Sequence, residues 1–309
     1  MPTPLQDQPA PRRLLGRVTR HIHWARDQGV GRLIEEDQLN PFERLPLAVR
    51  KARWRRAHDV APNAIPVFVV GVQRSGTNML VRGLERSPEF EVRNENDDDA
   101  FERFLLRPDP VVRALVEESG HRYVLFKPLC DSHRIGAILD GLGTPSPGRA
   151  IWAYRDVRGR VRSAVQKFGS ANLDALRRIA AGEGDRMWQA GGLGPERLEL
   201  IRSFDYDRVS PESAAALFWF LRNSLYFDLG LDTRSDVALA SYGATVEGPE
   251  QAMRVLCEVL DFPYQPALIA HIDARSSRPA VPLELDPRVA ELCAGLEARL
   301  DAAYEHATG

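Results

Sequence analysis

IPVFVVGVQRSGTNML, residues 65 to 80, begins as a continuous apolar run, stops at Gly71, and passes through a polar turn into residues with helical spacing. A run rich in β-branched residues, with no polar alternation, is how a parallel strand buried on both faces reads. Gly71 and Gly76 permit a tight turn behind it. The successive backbone N–H groups where a helix opens offer an anion site. Arg74 adds a forked cation, and Ser75, Thr77 and Asn78 supply side-chain donors. The loop is suited to hold a phosphate, so the stretch reads as the first strand, phosphate loop and helix of an α/β sheet.

Further apolar runs repeat the pattern: FEVRN at 90 to 94, YVLF at 123 to 126, AIWAYR at 150 to 155 and VALASY at 237 to 242. The last leads into PEQAMRVLCEVL, an amphipathic helix opened by Pro249 and ended near Asp261 and Pro263. Strands alternating with helices over some 200 residues predict an α/β fold, a mostly parallel central sheet of the P-loop type flanked by helices. Ligands of such a sheet lie beyond the carboxyl ends of its strands. Residues 64–309 form this domain, with a mostly helical insertion at about 170–230 expected to wall an acceptor pocket. Its LFWF at 217 to 220 also reads simply as core. Residues 1–63 are set apart as an N-terminal segment with helical pieces and the basic run RKARWRRAH.

Of the 309 residues, 41 are Lys or Arg and 43 Asp or Glu, a formal net charge of −2. The whole-chain field therefore favours neither nucleic acid nor an anionic membrane, and any basic site is local. Arg50, Lys51, Arg53, Arg55 and Arg56 around Trp54 are such a local cluster, open to a peripheral surface contact or to a plain solvated face. Three widely spaced cysteines, Cys130, Cys257 and Cys293, make neither a disulfide framework nor a zinc knuckle. With no signal-like or membrane-spanning run, the expected location is the cytoplasm. Oligomeric state has no signature in the chain.

The loop lacks GK[ST], hence a lysine for a γ-phosphate and a hydroxyl for magnesium. That disfavours a nucleotide triphosphatase and fits sulfuryl transfer, whose moving group carries less charge than a terminal phosphoryl group and can be handled by arginine and lysine without a divalent metal. A second motif, YRDVRGRVRS at 154 to 163, ends the fourth strand, with Arg155 at its carboxyl end and Ser163 early in the next helix. Both can face one phosphate; the plainer alternative pairs Arg155 with Asp156 and leaves Ser163 in solvent.

Together the two motifs resemble the binding signatures of the sulfotransferase superfamily that uses 3'-phosphoadenosine 5'-phosphosulfate (PAPS), over about residues 65 to 300, with closest similarity to tyrosylprotein and bacterial small-molecule or glycan sulfotransferases. The resemblance implies the sulfotransferase fold, a 5'-phosphosulfate site at Gly71, Arg74, Ser75, Gly76, Thr77 and Asn78, and a 3'-phosphate site at Arg155 and Ser163. FKPL, residues 126 to 129, resembles the strand-end lysine that stabilises the transferring group, which makes Lys127 the candidate beside Arg74. SYGATVEGPEQ resembles the stretch whose tyrosine lies near the adenosine, here Tyr242, with Gly243 and Ala244 in place of the usual acids. ARSSRPAVPLELDPRV, from 274, resembles the cofactor-covering loop and offers Ser276 and Arg278. Glu95, after the second strand, stands where tyrosylprotein sulfotransferases carry their catalytic glutamate; it is the candidate base, although the acidic turn Asp97–Asp99 also reads as a solvated loop. His133 is the fallback base, because Leu129 occupies the position of the cytosolic enzymes' histidine.

The function implied is transfer of a sulfuryl group from PAPS, leaving 3'-phosphoadenosine 5'-phosphate, to a hydroxyl or amine of a glycan or small-molecule acceptor. Two rivals stay open: a magnesium- and ATP-dependent small-molecule kinase, and a non-enzymatic protein binding glycan or membrane surface through residues 50–56.

Overall fold

The computed structural model describes residues 41–273 and 282–308. The chain divides into two compact units, residues 1–59 and 60–309. In the first, the described element is helix α1, Pro41–Ala57.

The second unit is built on five parallel strands: β1 Ile65–Gly71, β2 Phe90–Arg93, β5 Tyr123–Phe126, β6 Arg149–Tyr154 and β7 Val237–Ser241. They lie in the order β2-β5-β1-β6-β7. All four pairings are parallel, with Val67 opposite Leu125, Val69 opposite Ile151 and Trp152 opposite Leu239. Between β2 and β5 come a two-stranded antiparallel hairpin, β3 Phe101–Glu102 and β4 Leu105–Leu106, and helix α3, Asp109–Glu117. Each of the five apolar runs in the sequence is thus a strand, and the mostly parallel sheet is present.

The absence of alternation in β1 has its cause in two covered faces. Val67 and Val69 enter one apolar cluster with Leu80 and Leu84 of α2 (Thr77–Glu85) and Leu256 of α10 (Pro249–Val259). Phe68 and Val70 enter the other, with Trp152, Val161 of α5 (Val157–Phe168), Trp219 of α8 (Pro211–Asp228) and Cys293 of α11 (Pro287–Thr308). Each large side chain so buried stabilises the fold by roughly 1.5–3 kcal/mol relative to exposure.

The insertion is helical: α6 Ala171–Ala180, two single turns at Gly184–Arg186 and Trp188–Ala190, then α7 Pro195–Arg202 and α8. Leu217, Phe218, Trp219 and Phe220 are all buried, so LFWF is core and not an exposed stacking platform. Among the described residues the remaining α-helices are α4 Ile135–Gly141 and α9 Tyr242–Glu247.

Candidate functional site

The loop from Val72 to Gly76 leaves the carboxyl end of the central strand. Gly71 has φ 122°, and a Cβ there would run into the Ala153 carbonyl oxygen of β6, so the strand crossing at this point needs glycine. Arg74 (φ 73°) and Gly76 (φ 89°) are both left-handed. That conformation costs a non-glycine residue about 1–2 kcal/mol, which Arg74 offsets through its contacts. The Gly76 carbonyl accepts from the N–H groups of Met79 (2.9 Å) and Leu80 (3.2 Å), opening α2. The N–H groups ahead of them have no intrahelical acceptor, as at any helix start. Ser75 is 1% exposed, and its Oγ has no hydrogen-bond partner. A buried hydroxyl without a partner beside free helix-start N–H groups is a cradle whose donors an anionic oxygen would satisfy.

Side chains from three other elements meet this loop. Arg74 Nε donates to Ser163 Oγ at 2.8 Å, which ties the second turn of α5 to the loop. The Arg155 guanidinium lies over the Tyr242 ring, 4.2 Å from its centroid. That ring in turn packs on the loop: a Cβ on Gly76 would stand 2.6 Å from Tyr242 Cδ2. Arg155 Nε is buried without a hydrogen bond, 3.6 Å from the Asp156 carboxylate. Asp156 is committed elsewhere, as the cap of α5, accepting from the Gly159 N–H at 2.6 Å. The strand end itself is held by Trp219, whose Nε1 donates to the Arg155 carbonyl at 2.9 Å.

Arg160 is the residue the sequence reading missed. It is 1% exposed and donates to the carbonyls of Gln73 (3.3 Å) and Ala215 (2.7 Å) and to Asn172 Oδ1 (3.2 Å), so it anchors the loop to α8. Burial, then the neighbouring Arg74 charge, pushes its pKa down. The signal was legible: Val157, Arg160, Val161 and Ala164 form the buried stripe of α5. A charge on that stripe must bond to buried acceptors.

On the other side, Lys127 follows β5 and is almost fully buried. Its Nζ donates to Asn78 Oδ1 at 2.8 Å and lies 3.5 Å from Glu95 Oε2. Burial pushes the Glu95 carboxyl pKa up, while the Lys127 charge and hydrogen bond and the Leu129 N–H pull it down. The acidic turn behind Glu95 has structural work: Asp97 and Asp99 pair with Arg93 at 3.1 and 3.4 Å. Asp97 also accepts from the N–H groups of Asp99 and Ala100. The block that bears Lys127 is locked to the loop strand by Ser132, whose Oγ accepts from the Gly71 N–H (3.1 Å) and donates to its carbonyl (3.2 Å).

His133 belongs to a different neighbourhood. Its ring lies under the insertion, where a Cβ on Gly191 would stand 2.7 Å from Cε1, and burial followed by the Arg222 charge pushes its pKa down. The structure therefore gathers Glu95 with Lys127 and Asn78, and Arg74 with Ser163, and stacks Arg155 on Tyr242 against Gly76. Ser276 and Arg278 lie outside the described residues.

No protein-family model matches the chain, and no curated protein matches it. Among solved structures, it is similar to the sulfotransferase domain of the Synechococcus PCC 7002 olefin synthase, with TM-score 0.44 and 15% identity over 78% of this chain and 96% of that one. It is also similar to the sulfotransferase domain from the curacin biosynthetic pathway, with TM-score 0.44 and 14% identity over 77% of this chain and 99% of that one.

Proposed function

We propose that this protein is a sulfotransferase that uses PAPS and acts on a hydroxyl or amine of a glycan or small-molecule acceptor. The observation that carries the reading is the meeting of the loop's own donors with Lys127, Arg155 and Ser163 at the carboxyl ends of β1, β5 and β6.

The residues fit the donor. Ser75 Oγ, the helix-start N–H groups and Arg74 bind its 5'-phosphosulfate, and Arg155 and Ser163 bind its 3'-phosphate. Tyr242, already stacked under Arg155, offers a flat apolar face to the adenine. When bound, PAPS supplies an activated sulfuryl group on a good phosphate leaving group. Arg74 and Lys127 stabilise the negative charge that grows on the departing oxygen, each such donor contributing typically ~3 kcal/mol. Glu95 takes the acceptor's proton; its raised pKa makes it a better base than an exposed carboxylate. Its contact with Lys127 lowers the cost of ionising it, so that one lysine serves both the leaving group and the base.

Calorimetric titration with 3'-phosphoadenosine 5'-phosphate, without magnesium and in parallel with ATP, tests this without knowledge of the acceptor. Binding of the bisphosphate, weaker binding of ATP, and a loss of at least tenfold in Arg155→Ala are expected. A preference for magnesium ATP would replace the reading with the kinase.

A further inference from the structure

The proposed reaction makes no use of helix α1, yet α1 carries a larger surplus of positive charge than any other described helix. Residues 1–59 hold twelve Lys or Arg against seven Asp or Glu, a charge of +5 in a chain whose total is −2, which leaves −7 on residues 60–309. Within α1 itself, six Lys or Arg accompany one acid.

Helical spacing sorts the side chains of α1 into faces. Leu47, Lys51 and Trp54, at i, i+4 and i+7, are the half-buried stripe, and Trp54 stacks on His58 with ring centroids 4.2 Å apart. The opposite stripe, Leu45, Val49, Arg53 and Arg56, is exposed throughout, with Leu45 69% and Val49 49% exposed. Arg50 and Arg55 are exposed on its two flanks, towards the half-buried stripe. Among the described residues none of these four arginines is paired with a carboxylate. The apolar pair is thus directed outward on the stripe that carries the cations, the reverse of a helix packed only against its own protein.

We propose that this face of α1 docks on an anionic lipid bilayer, with Leu45 and Val49 entering the headgroup boundary and Arg50, Arg53, Arg55 and Arg56 on lipid phosphates. Charge complementarity is the argument: unpaired arginines draw the helix to a negative surface that repels the −7 unit, and the aliphatic pair adds a contact that a polyanionic glycan in water does not offer. No described helix is long and apolar enough to cross a membrane, so the contact is peripheral.

Cosedimentation of the full chain with vesicles tests the proposal, using phosphatidylcholine alone and phosphatidylcholine with about one-third phosphatidylglycerol, at about 0.1 M salt, where the screening length is about 10 Å. Binding to the anionic vesicles alone is expected. Arg53→Gln with Arg56→Gln should weaken it about fivefold per arginine. Leu45→Ser with Val49→Ser should weaken it at unchanged charge. All four side chains face solvent, so the thermal midpoint should hold; Arg50→Gln with Arg55→Gln serves as an independent pair. Equal binding to both vesicle types overturns the proposal. So does heparin binding that needs the arginines while the Leu45/Val49 variant binds anionic vesicles as the wild type does, which would make the face a polyanion site.

Discussion

Glu95 is a carboxylate held between two opposing effects, and its titration separates them. Burial makes the ionised form costly and Lys127 relieves that cost, so the folded pKa lies above the ordinary carboxylate value. Carbon-13 NMR of the glutamate carboxyls should show Glu95 titrating above the ordinary glutamate value, and higher again in Lys127→Ala, where only the Leu129 N–H still opposes burial. A pKa raised by folding subtracts stability above the unfolded pKa, and the penalty shrinks as pH falls through the folded value. Glu95→Gln should therefore be more stable than wild type at neutral pH, with the gap closing in acid, while transfer to any acceptor found by screening falls about 10²- to 10⁴-fold. Gly76 allows an equally local test. Its φ of 89° and the nearness of Tyr242 mean that Gly76→Ala must displace the ring under Arg155. Bisphosphate affinity should drop by at least tenfold in calorimetry, and an unchanged affinity would remove Tyr242 from the proposed nucleotide site.

The elements that carry these residues are held by a few buried polar ties. Arg160→Met removes the donors that join the loop carbonyl of Gln73 to α8, and leaves the Ala215 carbonyl without this partner. Denaturant unfolding should show a loss of about 1–3 kcal/mol, and bisphosphate binding should weaken as the loop loses its anchor. Most elements were legible because each states its own burial: β1 is apolar at every position and is covered on both faces, and α10 opens at Pro249 as its sequence announces. Glu95 and Lys127 were legible as strand-end residues by resemblance. Their contact through 3.5 Å was not, because it joins the ends of β2 and β5 across 32 positions of chain. Neither was the pairing of Arg74 with Ser163, since local spacing aims Ser163 at a phosphate equally well.

At the scale of the whole molecule, the division into residues 1–59 and 60–309 carries its own expectation. The second unit contains both apolar clusters and every described residue of the proposed site. A chain of residues 60–309 should therefore unfold cooperatively and bind the bisphosphate within a few-fold of the full chain, as read by calorimetry; loss of either would make the first unit part of the fold or the site. The three cysteines are buried in the second unit, and burial pushes their thiol pKa values to about 12, 11 and 12 for Cys130, Cys257 and Cys293, so they should resist alkylation in the native state. The sequence by itself determined the strands and the glycine-bearing loop that follows the first of them, because periodicity and glycine placement act over a few residues. Only the tertiary structure decided which side chains meet. A buried charge such as Arg160 finds its acceptors, and Glu95 its shifted pKa, in segments distant along the chain that the crossing of strands and helices brings within a few ångströms.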